Sequence, residues 1–147
     1  AGPGIVGDRG GDITAIFTVL VAGSDMDEPV ADMLRGVLDG HVVLDRAIAE
    51  RGRFPAIDLR RSVSRSAPDA WTDAEADLCR RARAIVATYE EAAPLIRSGL
   101  YSPGSDAALD EAIRVYPAVD AFLGTARAGR SRAQVFAALA SALTAGP

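Results

Sequence analysis

The chain has 147 residues, 49% of them apolar and 24% charged, enough to pack one ordinary domain or two small ones and too apolar for intrinsic disorder. Its 16 basic residues face 20 acidic ones, a formal net charge of −4 that argues against general nucleic-acid binding. The single cysteine, Cys79, excludes an internal disulfide and a cysteine metal cluster, and no apolar run reaches the roughly 20 residues of a membrane span. All the basic residues are arginine, and the chain has no lysine. Arginine stays charged and grips phosphate or carboxylate with two prongs.

The N-terminus, AGPGIVGDRGGD, is a Gly-rich loop without a secretory signal or an initiator methionine, and it reads as a cut through a longer chain. Residues 13–22, ITAIFTVLVA, are β-branched and apolar on both faces, which predicts a strand covered on both sides, as in a parallel α/β sheet. The acidic turn GSDMDEP follows, and Pro29 suits the first turn of a helix running to about Gly36. A short strand is expected over Gly40–Leu44, then a helix over Asp45–Arg51 that Gly52 ends. The next stretch, FPAIDLRRSVSRSAPDAW, reads as extended and is punctuated by Pro55 and Pro68.

Beyond residue 70 the pattern turns helical. Thr72 and Glu75 form a T-x-x-E capping box, and Leu78, Ala82, Ile85, Tyr89, Ala92 and Ile96 repeat at helical spacing. This predicts a long amphipathic helix, kinked in its last turn by Pro94 and ended by Gly99. After the loop LYSPGS, Asp106 caps a helix expected to stop near Val115, and Pro117 is expected to open another carrying Val119, Phe122 and Leu123 inside. Ser131 and Gln134 form a second capping box, ahead of Val135, Phe136, Leu139 and Leu143. The expected class is therefore α/β and then all-α, with a division into residues 1–70 and 71–147. Two or three strands are too few for a self-sufficient parallel sheet.

Familiar chemical motifs mostly fail on context. Gly2, Gly4 and Gly7 spell G-x-G-x-x-G, but a dinucleotide loop needs a strand before it and a helix after it, and here a strand is expected to follow. The P-loop G-x-x-x-x-G-K-S/T cannot be written without lysine. His41 is the sole histidine, with no metal-ligand spacing around it and no G-x-S-x-G elbow to serve, so it reads as structural. Cys79 sits in the apolar pattern of the long helix and reads as a small core residue. No metal site is expected.

The segments DGHVVLDRAIAERGRFPAID and SVSR, within Asp39–Arg65, resemble the hexameric ATPases of flagellar and type III protein export, relatives of the rotary ATP synthase catalytic subunit. Upstream GGDITAIFTVLVAGSDMDEPVAD and downstream YEEAAPLIRSGLYSPGSDAALDEAI fit the same family, so the resemblance covers nearly the whole chain. It implies the C-terminal strands of a RecA-like nucleotide-binding core over residues 1–70, followed by a helical C-terminal domain over residues 71–147. The phosphate-binding loop, the Mg-binding aspartate and the catalytic glutamate of that family have no counterpart in this sequence.

The resemblance also implies roles. Arg65, ending SVSR, corresponds to the arginine that reaches the γ-phosphate held by a neighbouring subunit; such a finger is worth about 10³ to 10⁵ in rate. Phe54 stands where the family has a tyrosine packed on adenine, and Tyr101 is a weaker candidate for lining the same pocket. Asp25 and Asp27 lie in a loop resembling the one that faces the central pore, where carboxylates could meet a basic stalk protein. The longer protein is expected to use ATP and Mg2+ in a homohexamer with central-stalk and export-apparatus partners, without nucleic acid, in the cytoplasm and peripheral to the inner membrane. This chain by itself is expected to bind no cofactor and to lack activity. The flagellar branch is preferred over the virulence-secretion branch. A non-catalytic adaptor docking on an intact export ATPase is the alternative of a different class, and the rotary ATP synthase catalytic subunit is disfavoured by the GSD loop and the LYSPGSD segment.

Overall fold

The computed structural model of the protein describes residues 14–21, 29–125 and 129–145. The capping boxes read from the sequence define where the helical half begins. The Thr72 hydroxyl accepts the Glu75 N–H at 3.3 Å while the Glu75 carboxylate accepts the Thr72 N–H at 2.8 Å, and these bonds satisfy end groups of α4, Asp73–Arg97. Asp106 opens α5, Ala107–Leu123, by accepting from the Ala108 and Leu109 N–H groups. The Ser131–Gln134 box opens α6, Arg132–Thr144, in the same reciprocal way.

The three helices share one core. Ala82, Ile85 and Val86 of α4 meet Ala112, Val115, Tyr116 and Val119 of α5 and Leu139, Ala142 and Leu143 of α6. Leu143, Val115 and Val119 are the largest side chains wholly removed from water, and burial of each contributes about 1.5–3 kcal/mol. Of the predicted α4 stripe, Ala82 and Ile85 are buried in this core, Leu78 and Tyr89 lie half-buried at its margin, and Ala92 and Ile96 are half-buried outside it; Val86, 3% exposed, joins the core from beside the stripe. Cys79 packs there too, half-buried, as a small core residue.

One helix boundary differs from expectation. Pro117 does not open a new helix; α5 runs through it as a single element. A proline inside a helix removes a hydrogen bond and clashes with the preceding turn, at about 3 kcal/mol. Val115, Tyr116 and Val119, all buried on either side of an exposed Pro117 ring, offset that cost by locking both half-helices into one core. Local propensity lost to packing.

The first half holds α1, Pro29–Val37; β1, Gly40–Leu44; α2, Arg46–Glu50; and β2, Ile57–Ser64. Asp45 caps α2 through the Ala47 and Ile48 N–H groups, and Gly52, at φ 81°, provides the left-handed turn that releases the chain toward β2. The strands pair antiparallel, Gly40 with Ser64 and Leu44 with Ile57 at the two ends. Between these ends the register slips, and the Ser62 hydroxyl fills the gap: it accepts the Val43 N–H at 3.0 Å and donates to the Asp58 carbonyl at 2.5 Å. The stretch after Pro55 is thus extended as expected, except that residues 67–70 form a short helix, α3, Ala67–Ala70.

The strand expected over residues 13–22 is not formed: the described part, residues 14–21, has no regular structure. Ile16 and Leu20 are each 91% exposed. A strand apolar on both faces needs neighbours on its edges and cover on its faces, and none of the described residues supplies either. The described sheet is accordingly a two-stranded antiparallel ribbon rather than the parallel sheet anticipated for that segment. The order α/β then all-α is as the sequence implies.

Arginines fasten the ribbon to the helices. The Arg83 guanidinium of α4 donates to the Leu59 carbonyl at 2.7 Å and to the Ser62 carbonyl at 3.4 Å, reaching backbone acceptors that β2 leaves open. Arg60 pairs with Glu91 at 2.7 Å, and Leu59 packs on the helical core.

Candidate functional site

Arg65 is the first residue beyond β2. Its backbone N–H donates to the Asp39 carbonyl at 2.7 Å, which fixes the exit of the strand against the start of β1. Its guanidinium turns back over α1 and donates to the Arg35 carbonyl at 3.3 Å and the Gly36 carbonyl at 3.5 Å. A cation at the carbonyl end of a helix is favourable. These bonds are long and solvent-exposed, so they orient the guanidinium without consuming its capacity for a stronger acceptor.

Phe54 lies in the turn between α2 and β2, joined to Pro55 by a cis peptide, and its ring is 62% exposed. An aromatic face turned to water beside a rigid turn can accept a flat partner. The turn is held from beneath by Arg53, only 8% exposed. Arg53 donates to the Ile57 carbonyl at 3.2 Å, and its Nε lies 3.3 Å from the Asp120 carboxylate of α5. That contact balances charge, but its geometry makes no hydrogen bond, and the buried Nε–H has no acceptor among the described residues.

The structure gives Tyr101 a local partner. Its hydroxyl donates to the Asp110 carboxylate, which also accepts the Gly104 N–H at 3.0 Å, so the two residues clamp the LYSPGS loop onto α5. The Asp110 hydrogen bond, with burial and the same negative charge behind it, pushes the Tyr101 hydroxyl up to about 12. No ring contact joins Tyr101 to Phe54 among the described residues. Asp25 and Asp27 lie outside the described residues.

His41 is structural, as read from the sequence: its Nε2 meets the Arg61 carbonyl at 2.9 Å. Arg61 in turn bonds Asp58 at 2.7 Å and also pairs with Asp45. Burial works to raise the Asp58 carboxyl, but hydrogen bonds from Arg61 and Arg60 outweigh it and hold the group below its ordinary value. Burial pushes the Cys79 thiol up, the opposite of what a reactive cysteine needs. Among the described residues no group of His, Cys, Asp and Glu is arranged to hold a metal ion.

One feature escaped the sequence. A cleft of about 260 Å³ opens between the Arg51–Arg53 turn and helices α4 and α5. Its wall is Tyr89 stacked on Tyr116, ring centroids 3.8 Å apart and 9° from parallel. Tyr89 was legible as part of a helical stripe, but nothing in the spacing pairs it with Tyr116 or marks Arg53 as buried. Burial foremost, then the charges of Asp120 and Glu90, push the Tyr116 hydroxyl up to about 12.

The profile of the ATP synthase alpha/beta family, nucleotide-binding domain, matches residues 3–64. That of the T3SS EscN ATPase C-terminal domain matches residues 71–140. The chain belongs to the flagellar and type III secretion ATPase family. It is 50% identical over 126 residues to the flagellum-specific ATP synthase of Caulobacter vibrioides, a match covering 84% of this chain and 28% of that protein. The assembled ATPase EscN of the enteropathogenic E. coli type III secretion system superposes with a TM-score of 0.86 at 33% identity, over 91% of this chain and 33% of that one. EscN in complex with its central stalk EscO superposes with a TM-score of 0.72 at 32% identity, over 79% of this chain and 29% of that one. The chain therefore spans about a third or less of these relatives' length. With these neighbours, the two-stranded ribbon belongs to a RecA-like core, and the helical C-terminal unit follows it. Among the described residues no helix is long and apolar enough to cross a membrane.

Proposed function

We propose that this segment serves an ATP-hydrolysing export ATPase by lending Arg65 to the nucleotide bound on a neighbouring copy, with Phe54 walling the adenine of its own subunit. The observation that carries the reading is the placement of Arg65: at the end of SVSR, exposed, with a guanidinium resting on two long backbone contacts over α1. Phosphoryl transfer spreads negative charge over the γ-phosphate oxygens, and a pre-aimed guanidinium stabilises that charge more in the transition state than in the ground state. The exchange of weak carbonyl acceptors for phosphate oxygens makes the contact a charge-assisted one. Phe54 offers an exposed ring for base stacking, worth roughly 1–3 kcal/mol, and the buried Arg53 beneath it keeps the turn in place. In this reading Tyr101 clamps its loop rather than lining the pocket, since Asp110 engages its hydroxyl.

The family's phosphate-binding lysine, Mg2+ ligand and catalytic base belong to parts of such an ATPase beyond this sequence, so ATP and Mg2+ would be held there and the segment alone would not turn over. The fit of Arg65 to a trans role, together with the likeness to the assembled ATPase EscN and to EscN in complex with its central stalk EscO, supports a homohexamer around a stalk. Asp25 and Asp27 would then face that stalk. The similarity to the Caulobacter protein favours the flagellar branch, acting in the cytoplasm at the inner-membrane export apparatus.

The test is Arg65→Ala in an intact ATPase carrying this segment. Turnover should fall by about 10³ to 10⁵ while ATP binding stays near wild type. Unchanged turnover would remove Arg65 from the mechanism, and magnesium-dependent hydrolysis by the purified segment would refute the division of the site.

A further inference from the structure

The cleft beside the Phe54 turn has a chemistry that neither nucleotide stacking nor the arginine finger uses. Three arginines line it, Arg51, Arg53 and Arg97, against one acidic residue, Asp120. They come from separate places: two from the turn after α2 and one from the last turn of α4. Their existing partners are incomplete. Arg51 approaches Glu90 only at 4.0 Å. Arg53 is more than nine-tenths buried, and its Nε lies 3.3 Å from the Asp120 carboxylate without hydrogen-bond geometry, so that its Nε–H makes no hydrogen bond among the described residues. Arg97 makes no hydrogen bond or ion pair among the described residues. A buried donor that makes no hydrogen bond keeps part of its desolvation cost even beside a carboxylate, and a well-placed oxygen reaching it would recover that part.

We propose that this cleft is a binding site for a small phosphate-type oxyanion, with Arg53 as its buried anchor and Arg51 and Arg97 closing over it. Size sets the ligand class first. The cleft, at about 260 Å³, lies below the roughly 300–1,000 Å³ of sites that enclose drug-sized ligands, so a nucleotide does not fit inside. Donor number sets it next. Three guanidiniums present more N–H groups than the two oxygens of a carboxylate can accept, whereas a phosphate offers three or four oxygens. The stacked tyrosines contribute a flat, largely apolar wall, and an ionic contact made against such a low-dielectric surface is stronger than one made in water. The site lies between the turn that carries Phe54 and the two long helices, so a bound oxyanion ties the ribbon to the helical unit.

The probe is inorganic phosphate, titrated into the protein at constant ionic strength with chloride as the counter-titrant. The readouts are the aromatic NMR resonances of Tyr89 and Tyr116 and the thermal midpoint. Phosphate should shift both ring systems saturably and raise the midpoint. Arg97→Gln, a change at an exposed and unpaired side chain, should weaken the apparent affinity by about tenfold or more with the circular dichroism spectrum unaltered. Arg65→Ala should leave the phosphate response as it was, which separates this site from the proposed finger. The proposal is overturned if phosphate acts no differently from chloride, if Arg97→Gln binds phosphate as tightly as wild type, or if Arg65→Ala abolishes the response.

Discussion

Replacement of Arg53 by methionine tests how the Phe54 turn is held to the helices. Methionine keeps most of the aliphatic stem and removes the charge. Arg53 is 8% exposed, and its guanidinium joins the Ile57 carbonyl at 3.2 Å and the Asp120 carboxylate at 3.3 Å. Breaking a wholly buried ion pair costs about 3–5 kcal/mol, because the remaining charge is stranded. Asp120 is 37% exposed, so water reaches the abandoned carboxylate and the penalty shrinks. The Ile57 carbonyl loses one charge-assisted bond, and the orphaned Nε–H disappears with the side chain, which returns part of the cost. The expected loss is about 2 kcal/mol, read as a lower urea midpoint with unchanged slope by far-UV circular dichroism. Asp120→Asn alone should cost less, and the double variant should fall short of the sum by about 1 kcal/mol, the coupling of the pair. A single-variant loss under about 0.5 kcal/mol, or additivity within that margin, would show that Arg53 does not fasten the turn to α5.

The core and one end of the helical unit give two further tests. Leu143→Ala, at a side chain 1% exposed, should cost about 2–5 kcal/mol in chemical denaturation, whereas Val135→Ala on the same helix, 37% exposed, should stay within about 0.5 kcal/mol; equal losses would contradict the packing described. Glu75 is held from 4.5 down to about 2, first by the Arg132 side-chain bonds and then by the Thr72 backbone and side chain. Because the folded value lies below the unfolded one, the stabilisation is present above pH 4.5 and is lost as pH falls toward about 2. In an NMR titration Arg132→Ala should move the Glu75 midpoint up toward 4.5; an unmoved midpoint would take Arg132 out of the cause.

Much of the helical half could be read residue by residue. Capping boxes are local, because a side chain bonds a backbone group three residues away, so Thr72, Glu75, Ser131 and Gln134 declare their helices without reference to the rest of the fold. Asp45 and Asp106 behave the same way. The stripe at Ala82, Ile85 and Tyr89 named the buried face of α4 because helical periodicity alone decides which residues share a side. Pro117 was misleading for the complementary reason. Its cost is local, and what outweighs it is the burial of Val115 and Val119 against other helices.

The candidate site divides along the same line. Arg65 and Phe54 were legible because motifs in sequence order, SVSR and RFPAID, carry the resemblance to export ATPases. Their setting was not: the α1 carbonyls that receive the Arg65 guanidinium are some thirty residues away in the chain. The strand expected over residues 13–22 had the right composition but found no neighbours among the described residues, and composition does not supply an edge to pair with. The missing lysine and the arginine-only charge were plain from the first reading. Which arginines are buried, fastened or left open was decided only when α4 and α5 closed over the Arg51–Arg53 turn. Burial and charge pairing belong to three-dimensional proximity, and for Arg53 and Asp120 that proximity spans the two halves of the chain.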